Sequence, residues 1–479
     1  MIHSWWPGRP SVPAVQPSPP GDAIRAAAEQ AARGGWEAVE RLATLLAELA
    51  DTGSAEAGRA ALSVLHGRPR AVVRLDEHAR RAWWYEIPLA SLARRVAGRV
   101  ADGAATAPVA VALASTHGDG RVRERAVAAM LAAPAPELMP FLVLRTSDWA
   151  RPVRDRARAG LALLLADDPA AHLPVVLPAV TAIERRLRGT FAAGQVTAAL
   201  ATASPGLRRA VAALPHPASR RLVHDIGLSW GWWSPDEVIE LAESGADVRI
   251  RSRAAELACR DAVWRRRQAV LHRLAGSSRP EVRAAALTGL VRTGDDAAVV
   301  AHLADRAPLV RALARDAARR AGADAPGRYR EAVLTTPTPP WIAGFAETAS
   351  AEEAPLLEPL LGHADAKVRA AAVRGLRDLG AVSPAGMIPM LRDPSAAVVR
   401  EAVGAVRPIV NAIPADLLWN LLADSRTELR RAGLRLLSTG PARARLRAGL
   451  IAVTDTDPRL AARVRADLTR LSRDATGPS

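Results

Sequence analysis

The chain has 479 residues, 49 % of them hydrophobic but only 4 % aromatic, and a formal charge of +16. That length exceeds what one growing core supports, and an apolar content carried by Ala, Leu and Val suits closely packed helices and disfavours a sheet-rich fold. Cys259 is the only cysteine, which excludes an intrachain disulfide and a cysteine-based zinc site, and no run of about 18 apolar residues is offered to a membrane, so a cytoplasmic chain without membrane insertion is expected.

Lys367 is the only lysine, so nearly all the positive charge is arginine. Two readings of that bias stand side by side. A GC-rich coding sequence favours Arg over Lys and leaves Asn only at Asn411 and Asn420. Arginine forks also match carboxylates and phosphates.

Along the chain, residues 1–21 form a Pro-rich tail carrying Trp5 and Trp6, expected to be extended. Residues 22–105 predict helices, with Trp36, Val39, Leu42, Leu46 and Leu49 on one face, and are read as an atypical N-terminal cap; Trp83, Trp84 and Tyr85 crowd one loop there. From residue 106 a phrase recurs: an acidic residue, a short turn, an apolar-Arg pair, then a small residue three positions on. It places Arg123, Arg154, Arg251, Arg283, Arg311, Arg369, Arg400 and Arg430 in equivalent positions. Neighbouring copies lie 28 to 32 residues apart, and the wider gaps, 154 to 251 and 311 to 369, fit three and two units. A last copy, from Asp457 to Leu468, has Ala461 where the arginine belongs.

A unit of about 30 residues holds two helices and two turns. Asp119, Asp148, Asp365, Asp393 and Asp424 are expected as N-caps, with Pro152 and Pro394 near helix starts. Ser234 to Glu237 and Ser350 to Glu353 have the spacing of capping boxes. The stretch Thr335 to Trp341, with three prolines, cannot be helix throughout and divides the repeats into 106–334 and 342–479 as a possible hinge.

The phrases Asp365-Ala-Lys-Val-Arg369-Ala-Ala-Ala372 and Asp148 to Ala157 resemble the HEAT-repeat family in its short, roughly 30-residue form, over residues 106–470. The resemblance implies an all-α fold, an α-solenoid of stacked antiparallel helix pairs in a HEAT-like superhelix. It also implies a ladder of Asp–Arg hydrogen bonds between repeats, with the Arg-bearing helices lining a concave face.

Catalytic patterns are scarce. Lys367 follows alanine, not glycine, so there is no Walker A loop, and no His-Glu dipeptide exists to build a metalloprotease site. Gly227-Leu-Ser229-Trp-Gly231 fits the nucleophile-elbow pattern, but no parallel-sheet pattern surrounds it and the next helix start waits until Pro235. No metal or cofactor is expected, and the chain reads more as a binding scaffold than as an enzyme.

The candidate binding residues are the arginines outside the ladder and the crowded tryptophans: Arg125, Arg156, Arg158, Arg253, Arg374, Arg377, Arg431, Arg435, the run Arg265-Arg266-Arg267, and Trp230, Trp232 and Trp233. Arg and Trp are the residues that dominate binding hot spots. The expected partner is an acidic protein or peptide. The alternative is nucleic acid, held as in DNA glycosylases built on HEAT-like repeats, for which Trp149 beside Asp148 is a superficial echo; nothing favours the pigment chemistry of short-repeat lyases.

Overall fold

A computed structural model describes residues 20–52, 55–82, 98, 100 and 107–475, and these form helices joined by short turns, with no strand among them. The tail with Trp5 and Trp6, and the Trp83-Trp84-Tyr85 loop, lie outside the described residues. Proline is a main punctuation mark. Pro108, Pro169, Pro205, Pro217, Pro280, Pro308, Pro339 and Pro384 each occupy the first turn of a helix, where a missing N–H leaves no bond unmade. Proline also falls inside helices: Ala351–Gly362, with Pro355 and Pro359, is a 3-10 helix, whereas Pro169–Ile183 stays α-helical around Pro174 and Pro178.

Helices pair antiparallel in the order the repeat predicts. Met139–Arg145 precedes Arg151–Asp167, Gln268–Ala275 precedes Pro280–Arg292, and Ala415–Leu422 precedes Thr427–Leu437. The intervals without the phrase are also helical. Thr190–Thr202 and Pro217–Trp230 fill the first gap, and Pro339–Ala346 fills the second.

The chain divides into two compact units, Met1–Val238 with Gly245–Arg253, and Ile239–Ser244 with Ala254–Ser479. In the first, Leu42, Leu46, Leu62, Leu65 and Leu75 continue into one core with Phe141, Leu161 and Leu177. Trp36 does not share the burial of Val39 and Leu42; it is half exposed and meets His78 edge-on at 4.6 Å. In the second unit Tyr329, Phe345, Leu357, Val398 and Leu436 are buried together. The stretch 335–341 lies inside that second unit. One helix ends at Thr335, the next starts at Pro339, and Trp341 packs edge-on to the fully buried Tyr329.

Cys259 is buried, and burial pushes its thiol up to about 12. Gly227 to Gly231 forms the end of the helix Pro217–Trp230, with Gly231 in the left-handed conformation at φ 68°. Ser229 therefore sits on a helix surface, not on a strand-to-helix elbow.

Candidate functional site

The repeated arginine occupies the fourth position after its helix's N-cap residue. The N-caps Asp119, Ala150, Arg279, Ala307, Asp365 and Arg426 thus precede Arg123, Arg154, Arg283, Arg311, Arg369 and Arg430. From there one guanidinium nitrogen donates back to the carbonyls of its own turn, and, except in Arg154, which lies 3.7 Å from the adjacent Asp155, the remaining two reach the next repeat. Arg369 Nη1 donates to the His363 and Ala364 carbonyls at 2.8 and 3.0 Å, while Nε and Nη2 donate to both carboxylate oxygens of Asp393 at 2.8 and 2.9 Å. Arg123 makes the same bidentate bond to Asp148, Arg283 to Asp305 and Arg430 to Asp455; Arg311 uses Glu347. Burial opposes ionisation of Asp393, but Arg369 outweighs it and holds that carboxyl below its ordinary range.

These contacts correct two expectations. Asp148, Asp393 and Asp424 are not N-caps, unlike Asp119 and Asp365. They stand two residues earlier and bond the N–H of Ala150, Ser395 and Arg426, and Asp148 and Asp393 turn outward to an arginine of the preceding repeat. Arg400 is not a rung. Its helix is capped by Ser395, so the fourth position is the buried Val399, and Arg400 stands 67 % exposed with its nearest acid, Glu401, at 3.9 Å. The extra residue in Asp393-Pro-Ser-Ala-Ala-Val-Val shifts the register by one. Arg426 of the next repeat reaches back to the Asp393 and Pro394 carbonyls, which a rung arginine at 399 would have taken. Conversely Arg220, four residues after His216, donates to the Leu214 carbonyl from a rung position that the apolar-Arg pattern misses because Ser219 precedes it.

Asp148 also belongs to a buried ionic chain. Asp76, Arg145, Asp148 and Arg123 alternate in charge and are fully buried, with Arg186 at the edge, 3.3 Å from Asp76. Trp149 is largely exposed, 5.3 Å from the Arg123 guanidinium. The Asp148 carboxylate is therefore spent inside the fold and is not offered to a ligand.

The candidate arginines sort by what they touch. Arg156 pairs with Glu124 at 3.1 Å, Arg158 donates to the Thr146 carbonyl and covers Phe191, and Arg265 pairs with Asp261. Arg374 and Arg377 both face Glu401, at 2.7 and 3.5 Å, and that carboxyl, despite burial, is held low chiefly by Arg374. Arg125, Arg253, Arg266 and Arg267 are exposed, Arg266 with φ 55° beside the 88 % exposed Trp264. The tryptophans divide. Trp232 lies under the Arg208 guanidinium at 4.4 Å and Trp233 closes over Gly227, where an added Cβ would meet its ring nitrogen at 2.5 Å. Both fill the seam between helices, whereas Trp230 is exposed.

Arg431 and Arg435, on the helix Thr427–Leu437, are brought together with Arg459 and Arg463, on Pro458–Ala475, around a cavity of about 610 Å³. Leu434, Leu460 and Val464 line it as well, and Asp467 is its acidic lining residue. Arg431 pairs with Asp457. Among the described residues no carboxylate lies within ion-pair distance of Arg435, Arg459 or Arg463. The apolar-Arg pattern does not reach Arg459 and Arg463, because the last copy has Ala461 at the rung position.

No protein-family profile matches the chain, and no curated protein does. Among solved structures it is similar to the karyopherin Kap121p, at 12 % identity and a TM-score of 0.31, covering 88 % of this chain and 56 % of that one. It is also similar to a C-terminal fragment of the cohesin loader SCC2 of Chaetomium thermophilum, at 10 % identity and a TM-score of 0.37, covering 93 % and 48 %. The chain thus spans about half the length of these structures.

Proposed function

We propose that this chain is a non-catalytic HEAT-like scaffold that binds an acidic protein partner through arginines the fold does not consume. The observation that carries this reading is the contrast between two arginine populations. Rung arginines spend their donors on carbonyls and carboxylates within the repeats. Arg435, Arg459 and Arg463 converge on one cavity lined by a single acid, Asp467, and none of the three is ion-paired among the described residues. A cluster of unneutralised guanidinium groups beside apolar side chains recruits carboxylate or phosphate groups from outside. No helix among the described residues is long and apolar enough to cross a membrane, and the buried free thiol of Cys259 fits the reducing cytoplasm proposed as the compartment.

The test is fluorescence anisotropy with Asp/Glu-rich peptides, lysine-rich peptides of the same length, and duplex DNA, each at several salt concentrations. Acidic peptides alone should bind, with affinity falling as salt rises. Tight DNA binding without acidic-peptide binding would overturn the reading in favour of nucleic acid.

A further inference from the structure

The four arginines of the cavity sit in two i,i+4 pairs, Arg431 with Arg435 and Arg459 with Arg463, on two helices of the second unit. That spacing puts each pair on one helix face. How many negative charges such a cluster takes can be judged from the chain's own ion pairs. Asp393, Asp305 and Asp455 are each filled by one bidentate arginine and one backbone N–H. One carboxylate here serves one guanidinium, or two where it is shared as Glu347 is by Arg311 and Arg315, and Arg431 already has Asp457. Three guanidinium groups remain, and a single carboxylate from a partner would leave at least one of them unmatched.

A phosphoryl group offers three terminal oxygens and close to two negative charges on one atom centre. It is the compact anion that several arginines can share. The cavity volume of about 610 Å³ accommodates a side chain with its flanking backbone, and Leu434, Leu460 and Val464 provide apolar contact for the stem that carries the anion.

Resting on the reading of the chain as a scaffold for an acidic protein, we propose that the cavity between Thr427–Leu437 and Pro458–Ala475 is a phosphoresidue site, taking a phosphorylated serine or threonine of a partner polypeptide on Arg435, Arg459 and Arg463. Arg431 closes the cluster while remaining tethered to Asp457.

The test uses the full chain and a fluorescent library of short peptides centred on phosphoserine, beside the same library with serine and with paired glutamates at the centre. Inorganic phosphate and single-stranded RNA are the further probes. The phosphoserine library should bind, and Arg435→Ala and Arg463→Ala should each weaken it about tenfold or more, whereas Arg445→Ala, outside the cavity, should not. Equal affinity for the glutamate library would overturn the phosphoryl assignment and leave the acidic-partner reading standing. Phosphopeptide binding untouched by both variants would place the site elsewhere and overturn it too. Saturation by inorganic phosphate without peptide binding would reduce the cavity to an anion site, and no binding of any acidic or phosphorylated peptide would sink both readings. RNA binding that depends on the same arginines would assign the cavity to a nucleic-acid backbone instead.

Discussion

Replacing Arg369 by alanine removes one rung and leaves its neighbours in place. Four hydrogen bonds disappear at once, two to carbonyls and two to Asp393, whose side chain is only 4 % exposed. The carboxylate keeps the Ser395 N–H at 2.7 Å but loses its counter-charge. At about 3 Å and an effective dielectric near 20, the lost attraction is roughly 5–6 kcal/mol before desolvation is repaid. The arginine side chain itself is 15 % exposed, so water can enter the vacated space. The expected net cost is about 2–4 kcal/mol, at or below the range for breaking a buried pair. Removing Asp393 as well should recover part of that loss, giving a coupling of about 2 kcal/mol in a double-mutant cycle. The register correction makes the opposite prediction for Arg400→Ala, whose side chain is mostly in solvent: a change within about 0.5 kcal/mol. Because a chain of two units need not unfold in one step, the measurement is native-state hydrogen exchange, read by mass spectrometry on peptides covering residues 363–403, alongside urea melts. Asp393 titrates low in the fold, so the rung's contribution is present above the ordinary carboxyl value near 3.8 and is lost as pH falls through the depressed folded value. An Arg369→Ala protein as protected as wild type, with Arg400→Ala destabilised, would refute the register and the rung together.

Other outcomes follow from the same contacts. His66, His78, His216 and His224, all in the first unit, have pKa values depressed chiefly by burial. The unfolded chain takes up protons near 6.5 where these sites resist, so their contribution to stability is full above that pH and declines below it; exchange protection in residues 20–82 and 205–230 that is unchanged between pH 7.5 and 5 would contradict this. Gly344→Ala places a methyl where the Tyr329 ring stands 2.0 Å away, and the packed helix pair should lose about 1–3 kcal/mol, measured as a lower urea midpoint. The buried Cys259 thiol should be inert to a disulfide reagent at pH 8 in the native protein and react on unfolding; fast native reaction would show that its helix is not packed as described.

The repeat and the helices that compose it can be read from the order of residues alone. Val-Arg followed by a small residue recurs because the fourth helical position must both bury an aliphatic neighbour and aim a guanidinium at the next turn, and that demand is local enough to be read. The rung at Arg369 was legible on those grounds, as was Ala461 as its absence. The shift at Ser395 was not, because an extra turn residue leaves the apolar spacing of the helix intact and only the first backbone bond of the helix, from the Val399 N–H to the Ser395 carbonyl, shows which residue stands fourth. Nor could spacing assign Arg374, which looks free along the chain until Glu401 of the next repeat is folded against it, while Arg377 is shared between that residue and its neighbour Asp378. The cavity depended most on tertiary structure. Arg431 and Arg435 were identifiable as arginines outside the ladder, but their convergence with Arg459 and Arg463 arises only when two helices separated by a third come to line one cavity. Ion pairing between repeats is a contact across about 25 residues of chain, and it decides which arginines the fold consumes and which it leaves for a partner.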